Sequence, residues 1–238
     1  QSKDSGNVAT IELLKDITTT KTLAFAKPGQ YVLDIGEFTL TQGSANYMIT
    51  AGGTNPPVYP IDTYKDVQLT ILGSGKIVAN NTTFRSYGHI IIGDDKVGPI
   101  VTLTKDAPQY SIFKVEEGSY LTVNNGVFTV SGKVERVMQS FGTTVINDGL
   151  FNGDLELWVY GDYVSSVTIN DGIFNGDLVR YAYNASTKIK DSDKFIGPEA
   201  QIGNKYYMNI LDAVAAAQSK DSGNVATIEL LKDITTTK

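Results

Sequence analysis

The chain has 238 residues, enough to bury a substantial core, and its 41% hydrophobic and 19% charged content is that of an ordered protein. A formal charge of −6 with no Lys/Arg cluster argues against nucleic acid or anionic lipid as a partner, and no run nears the roughly 20 apolar residues of a membrane span. With no cysteine, disulfides, thiolate metal sites and cysteine nucleophiles are excluded.

The first element, VATIELLKDIT (8–18), reads as a strand. It lies within QSKDSGNVATIELLKDITTTK, residues 1–21, which return letter for letter as residues 218–238, an offset of 217 residues. An identity of that length is not accidental. Either it marks one full period of a tandem array together with the start of the next, or the two ends were engineered to match; the array is the expectation, because the second copy follows naturally from the segment before it. Arrays of near-identical units serve as spacers or multivalent displays, because each unit repeats its neighbour's work.

A shorter period runs inside the unit. LDIGEFTL around Gly36 and TILGSGKIV around Gly75 introduce an apolar strand, a turn with Gly, and then an aromatic or aliphatic residue. The pattern sharpens at LTVNNGVF (121–128), TVINDGLFNGDL (144–155) and VTINDGIFNGDL (167–178), where Gly126, Gly149 and Gly172, and Phe128, Phe151 and Phe174, stand 23 residues apart. A period near 23 with a β-run, a turn and another β-run describes one coil of a solenoid. The expected fold is therefore all-β, a parallel β-helix of about seven or eight coils and roughly 35–40 Å long at ~4.8 Å per coil. Phe38, Ile77, Phe128, Phe151 and Phe174 are expected to form one inward ladder. Gly36, Gly75, Gly126, Gly149 and Gly172 are expected at turns that a side chain would block.

Several side chains invite a chemical reading. His89, in RSYGHIII, has no Cys or carboxylate neighbours in sequence and reads as structural. Asn81-Thr-Thr and Asn184-Ala-Ser match the glycosylation sequon, a motif common by chance. The candidate acids are Asp94 and Asp95 in IGDDKVGP, Asp148 and Asp171 in Asn-Asp-Gly, and Asp154 and Asp177 in Asn-Gly-Asp. Asn147, Asp148 and Asp154, or their partners 23 residues on, Asp171 among them, and the loop of Asp94 and Asp95 are weak calcium candidates that match neither an EF-hand nor a nonapeptide repeat, so no metal and no cofactor is expected. Asn and Asp at these places suit stacked turns better than catalysis. The only arginines are Arg85, Arg136 and Arg180, and no catalytic residue is assigned.

LELWVYGDY (155–163) and LVRYAYN (178–184) carry the aromatic stripe. Trp158 stands 23 residues before Tyr181, and Tyr160 stands 23 before Tyr183, so each pair should stack in adjacent coils. Leu155, Leu157 and Val159 read as the inward alternates, although Arg180 falls in that set. The four aromatics are the candidate ligand-binding residues, a row suited to sugar rings.

Near the end of the period, AQIGNKYY reads as a hairpin turning at Gly203 and Asn204. The spacing then predicts a helix over 207–218, capped by Asn209, with Leu211, Val214 and Ala215 on its apolar face and Lys220 and Gly223 beyond it. In the strand that follows, Ala226, Ile228 and Leu230 alternate with more polar positions. These elements divide the chain into a β-helix unit (1–206), a capping or junction helix (207–218) and the first strand of the next repeat (219–238).

IGNKYYMNILDAVAAA followed by ATIELLKDIT resembles the opening module of pectin-lyase-like right-handed parallel β-helices in secreted and wall-attached bacterial proteins. In that family an Ile-Gly-x-x-Tyr hairpin leads to a helix that caps the open end of the solenoid. A Thr-Ile-x-Leu-Leu-x-Asp strand then begins the first coil, and YVLDIGEFTLTQ (31–42) resembles the second. The resemblance implies an extracellular or bacterial cell-surface setting and specifies architecture more sharply than activity. The expected function is a non-catalytic structural or adhesive repeat. Its partners would be identical units head to tail, with a glycan or host surface on the aromatic face. The alternatives from other classes are a polysaccharide-active lyase or glycosidase, or a segment of a phage fibre.

Overall fold

The structure, a computed structural model, describes residues 3–4, 8–44, 46–52, 65–105, 108–160, 163–176, 178–182, 200–202, 205–207, 210–218 and 226–230. Three long sheets run side by side, and the chain visits them in rotation. The first sheet stacks Val8–Glu12, Gly29–Asp34, Val67–Leu72, His89–Ile92, Tyr120–Val123, Thr143–Ile146 and Ser166–Ile169. The second stacks Ile17–Thr19, Thr39–Gln42, Lys76–Ala79, Ile100–Lys105, Val127–Gly132, Leu150–Asn152 and Ile173–Phe174. The third runs from Leu23–Phe25 through Ile49–Ala51, Phe84–Ser86, Phe113–Val115 and Arg136–Ser140 to Asp154–Tyr160, which also pairs with Leu178–Ala182. All these neighbours are parallel. Only Lys3–Asp4 on the first sheet and Tyr163–Val164 on the third join antiparallel. This is a parallel β-helix of seven coils with three strands each.

Alternation explains the core. Along Val67–Leu72 side chains point inward and outward by turns, and Val67, Leu69 and Ile71 are fully buried. Each coil sends such a set inward, and the sets join into one apolar cluster from Leu33 to Ile169.

Corresponding first-sheet residues lie 22, 38, 21, 31, 23 and 23 apart in sequence. The period of 23 thus governs only the last coils. Two of the earlier intervals are longer, one of them through the 93–99 loop between His89–Ile92 and Ile100–Lys105, and two are shorter by one or two residues. The sequence shows the third strand only in the last two coils, at 155–163 and 178–184, and not in the earlier ones. Pieces as short as Phe84–Ser86 and Phe113–Val115 are three residues long, too brief to show alternation in sequence.

The inward ladder on the second sheet is Leu40, Ile77, Val101, Phe128, Phe151 and Phe174. Phe128 and Phe151 are buried, and the rings of Phe128, Phe151 and Phe174 follow at 5.0 and 4.9 Å. Phe38 is not in the ladder. The turn at Gly36 is one residue longer than the one before Ile77 and two longer than those at Gly126, Gly149 and Gly172, so Leu40 takes the place opposite Ile77. Gly126, Gly149 and Gly172 have φ of 142°, 134° and 128°. A Cβ on Gly126 would lie 2.6 Å from the Phe128 ring, so the turn glycine and the buried ring require each other. Gly75 differs in kind: its φ is not positive, but a Cβ there would strike the Phe38 carbonyl at 2.1 Å.

The helix spans Ile210–Gln218, after a hairpin of Ala200–Ile202 and Lys205–Tyr207. Nine residues cannot hold a helix alone; packing against the hairpin supports it. Its inward residues are Ala213, which is fully buried, with Ile210 and Ala217, whereas Leu211 is 67% exposed and Ala215 is exposed too. The apolar face therefore lies away from Leu211 and Ala215, because small Ala213 and Ala217 allow close approach to the hairpin. Glu229–Leu230 pairs antiparallel with Ala200–Ile202, and Ala226 and Ile228 pack on the same cluster. Leu230 does not join them and is 58% exposed. The Gly203–Asn204 turn, Asn209, Lys220 and Gly223 lie outside the described residues.

Candidate functional site

The third sheet carries the most chemically varied outer face. Phe84, Phe113, Met138 and Leu155 point into the core, so their neighbours Arg85, Lys114, Gln139 and Glu156 point outward, in register across four coils. The Arg85 guanidinium lies 4.4 Å from the Tyr47 ring centroid and 4.8 Å from that of Tyr87. Its Nε donates to Glu116 Oε1 at 2.6 Å, and Lys114 Nζ lies 3.7 Å from the same oxygen.

Two coils on, Arg136 Nη1 stands 3.1 Å from Glu156 Oε2, and Trp158 Nε1 donates to that oxygen at 3.2 Å. Arg136 Nε is buried without a hydrogen-bond partner. Burial pushes the Glu156 carboxyl above its ordinary range, against the pull of Arg136 and the Trp158 hydrogen bond. The Trp158 ring lies 5.7 Å from that of Phe141.

The aromatic stripe is in register: Trp158 pairs with Tyr181. Leu155 and Leu157 are buried, so half-buried Trp158 lies on the outer face. The side chains of Tyr160, Tyr181, Val159 and Arg180, and all of Tyr183, lie outside the described residues.

Sequence spacing did not bring Arg85 and Arg136 to carboxylates. Glu116 is 31 residues from Arg85 and Glu156 is 20 from Arg136. Neither interval matches the 23-residue period: the coil that holds Arg85 and Glu116 is longer, and on the third sheet Met138 pairs with Leu155 only 17 residues on. Acid–Arg contacts, not expected from the sequence, are therefore present on this face.

The turn acids behave otherwise. Exposed Asp148 and Asp171 each accept from the next residue's amide, Gly149 and Gly172, at 2.7 Å. Asp94 Oδ1 accepts from the Lys96 and Val97 amides at 2.8 Å, which holds its carboxyl below the usual value. Asp95 is exposed in the same turn, Asp154 opens the Asp154–Tyr160 strand, and Asp177 and Asn184 lie outside the described residues. Among the described residues no three His, Asp or Glu side chains gather as a metal cluster.

Asn147 is fully engaged in a ladder, its Nδ2 donating to Asn124 at 2.8 Å and its Oδ1 accepting from Asn170 at 2.7 Å. A second ladder joins Asn175, Asn152 and Thr129. His89 Nε2 bonds Thr122 Oγ1 in the next coil at 3.0 Å, and burial lowers the His89 pKa. Asn81 Oδ1 accepts from the Thr82 amide at 2.7 Å.

The fold places the chain among parallel β-helix proteins. No protein-family model, no curated protein and no solved structure matches it.

Proposed function

We propose that the chain is one unit of a tandem structural or adhesive array, an extended bacterial surface or extracellular fibre protein of the pectin-lyase-like kind. The observation that carries this reading is the return of residues 1–21 at 218–238, in a chain whose body is a solenoid. A solenoid grows by adding coils along one axis, so repeating the unit lengthens the molecule without changing its cross-section. The units contact identical neighbours head to tail. The outer face with Trp158, Arg85 and Tyr47 offers flat rings and fixed hydrogen-bonding groups of the sort that hold sugars, and repetition would make that display multivalent.

A second reading, a polysaccharide-active enzyme, is favoured by one observation: Glu156 is a carboxyl of raised pKa beside Arg136. Against it, both carboxylates on this face are already held by cations, and the recurring acids sit in turns. The readings separate by assay on pectin, pectate, alginate and hyaluronan. The array reading expects no turnover, and expects glycan binding, where found, to weaken at least about tenfold in Trp158→Ala. Release of unsaturated or reducing ends that disappears in Glu156→Gln would establish the enzyme instead.

A further inference from the structure

The same residues occur twice in this chain in two different surroundings. At 226–230, Glu229–Leu230 pairs with Ala200–Ile202, and Ile228 packs half-buried on the cluster around Ala213 of the helix Ile210–Gln218. At the identical positions 9–13, Ile11 is 45% exposed. The strand Val8–Glu12 has Gly29–Asp34 along one edge, and along the other only Lys3 and Asp4, which pair with Thr10 and Ala9. Ile11, Glu12 and Leu13 have no strand on that outer edge among the described residues.

We propose that this edge, at Ile11 to Leu13, is the docking site for the hairpin and helix of a second copy of the chain, residues 200–218. The fit is given by the register already present. Ala200 and Gln201 lie opposite Leu230 and Glu229, the counterparts of Leu13 and Glu12. Run antiparallel, Ile202 would reach Ile11 just where the Lys3–Asp4 pairing begins at Thr10, so the two short segments meet end to end instead of competing. The outward-facing backbone of Glu12 gains a partner, whereas the Leu13 amide already donates to the Asp34 carbonyl at 2.8 Å, and Ile11 gains the apolar cover that Ile228 has. Exchanging 226–230 for 9–13 of another copy keeps every contact, because the residues are the same. It adds a strand already ordered within a seven-coil solenoid. Each docked copy leaves its own first strand open for the next, so association runs head to tail.

This inference rests on the tandem reading and names the surface that makes the junction. Sedimentation of the full chain over a wide concentration range tests it, together with Ile11→Lys, which spoils the edge, and Ala213→Asp, which spoils the module. The wild type should associate as concentration rises. Each variant alone should associate at least about tenfold more weakly, while a mixture of the two should form a 1:1 dimer that grows no further. Amide exchange at Glu12 should slow with concentration in the wild type only. A wild type that stays monomeric with unchanged exchange would overturn the proposal. So would an Ile11→Lys chain that associates like the wild type, or a mixture that stays monomeric. The tandem reading fails separately, if chains of several units prove flexible while this docking persists.

Discussion

Phe151 lies between Phe128 and Phe174, with ring centroids 5.0 and 4.9 Å away, and is 1% exposed. Two coils therefore depend on one side chain. Phe151→Ala should cost about 3–5 kcal/mol in denaturant unfolding, the upper range for a buried aromatic, because stacked coils cannot close around the void. Phe174, at the end of the ladder and only partly buried, should cost less. His89 gives a pH signature. Its pKa in the fold is lowered from 6.5 by burial, so the unfolded chain takes up the proton first. His89 therefore supports the fold fully above pH 6.5 and less as pH falls through that value. Glu156 works in the opposite sense. Its raised pKa makes its contribution largest below the ordinary value of 4.5 and smaller as pH rises through the raised one. Unfolding measured between pH 4 and 8 should show a flatter acid limb in His89→Gln than in the wild type; an unchanged limb would refute the assignment.

At the scale of the element, parallel stacking puts like residues on top of one another, and the asparagine ladders turn that repetition into hydrogen bonds. Asn147→Ala removes a donor to Asn124 and the acceptor of Asn170, and should cost about 1–2 kcal/mol. Asn170→Ala, at an exposed position, should cost less. Equal losses would mean that the ladder does not act as a unit. Such stacking is legible in sequence where coils keep one length, as from Leu121 to Phe174, where turn, ladder and register follow from the 23-residue spacing. It is hidden where turns vary. Gly36-Glu37-Phe38 looks like Gly149-Leu150-Phe151, yet two further residues pass before the chain returns to the second sheet, and Leu40 takes the inward place. Arg85 and Glu116 meet across an interval set by turn lengths rather than by any period. The helix face was misjudged for another reason. Leu211 is the more hydrophobic side chain, but close packing on the hairpin selects the small Ala213 and Ala217.

For the whole molecule, the coil builds the solenoid, and on the proposed reading the 217-residue offset between the two copies of residues 1–21 is a second period that repeats it. Parallel coils expose unpaired edges at both ends, a hazard that proteins blunt or use. On the proposed reading the array uses them, so that stiffness within a unit continues across each junction. Small-angle scattering on chains of one, two and three units measures this most directly. The account predicts a maximum dimension that grows in proportion to the number of units, with a cross-section that stays constant. Growth near the square root of unit number, as for beads on flexible linkers, would contradict it.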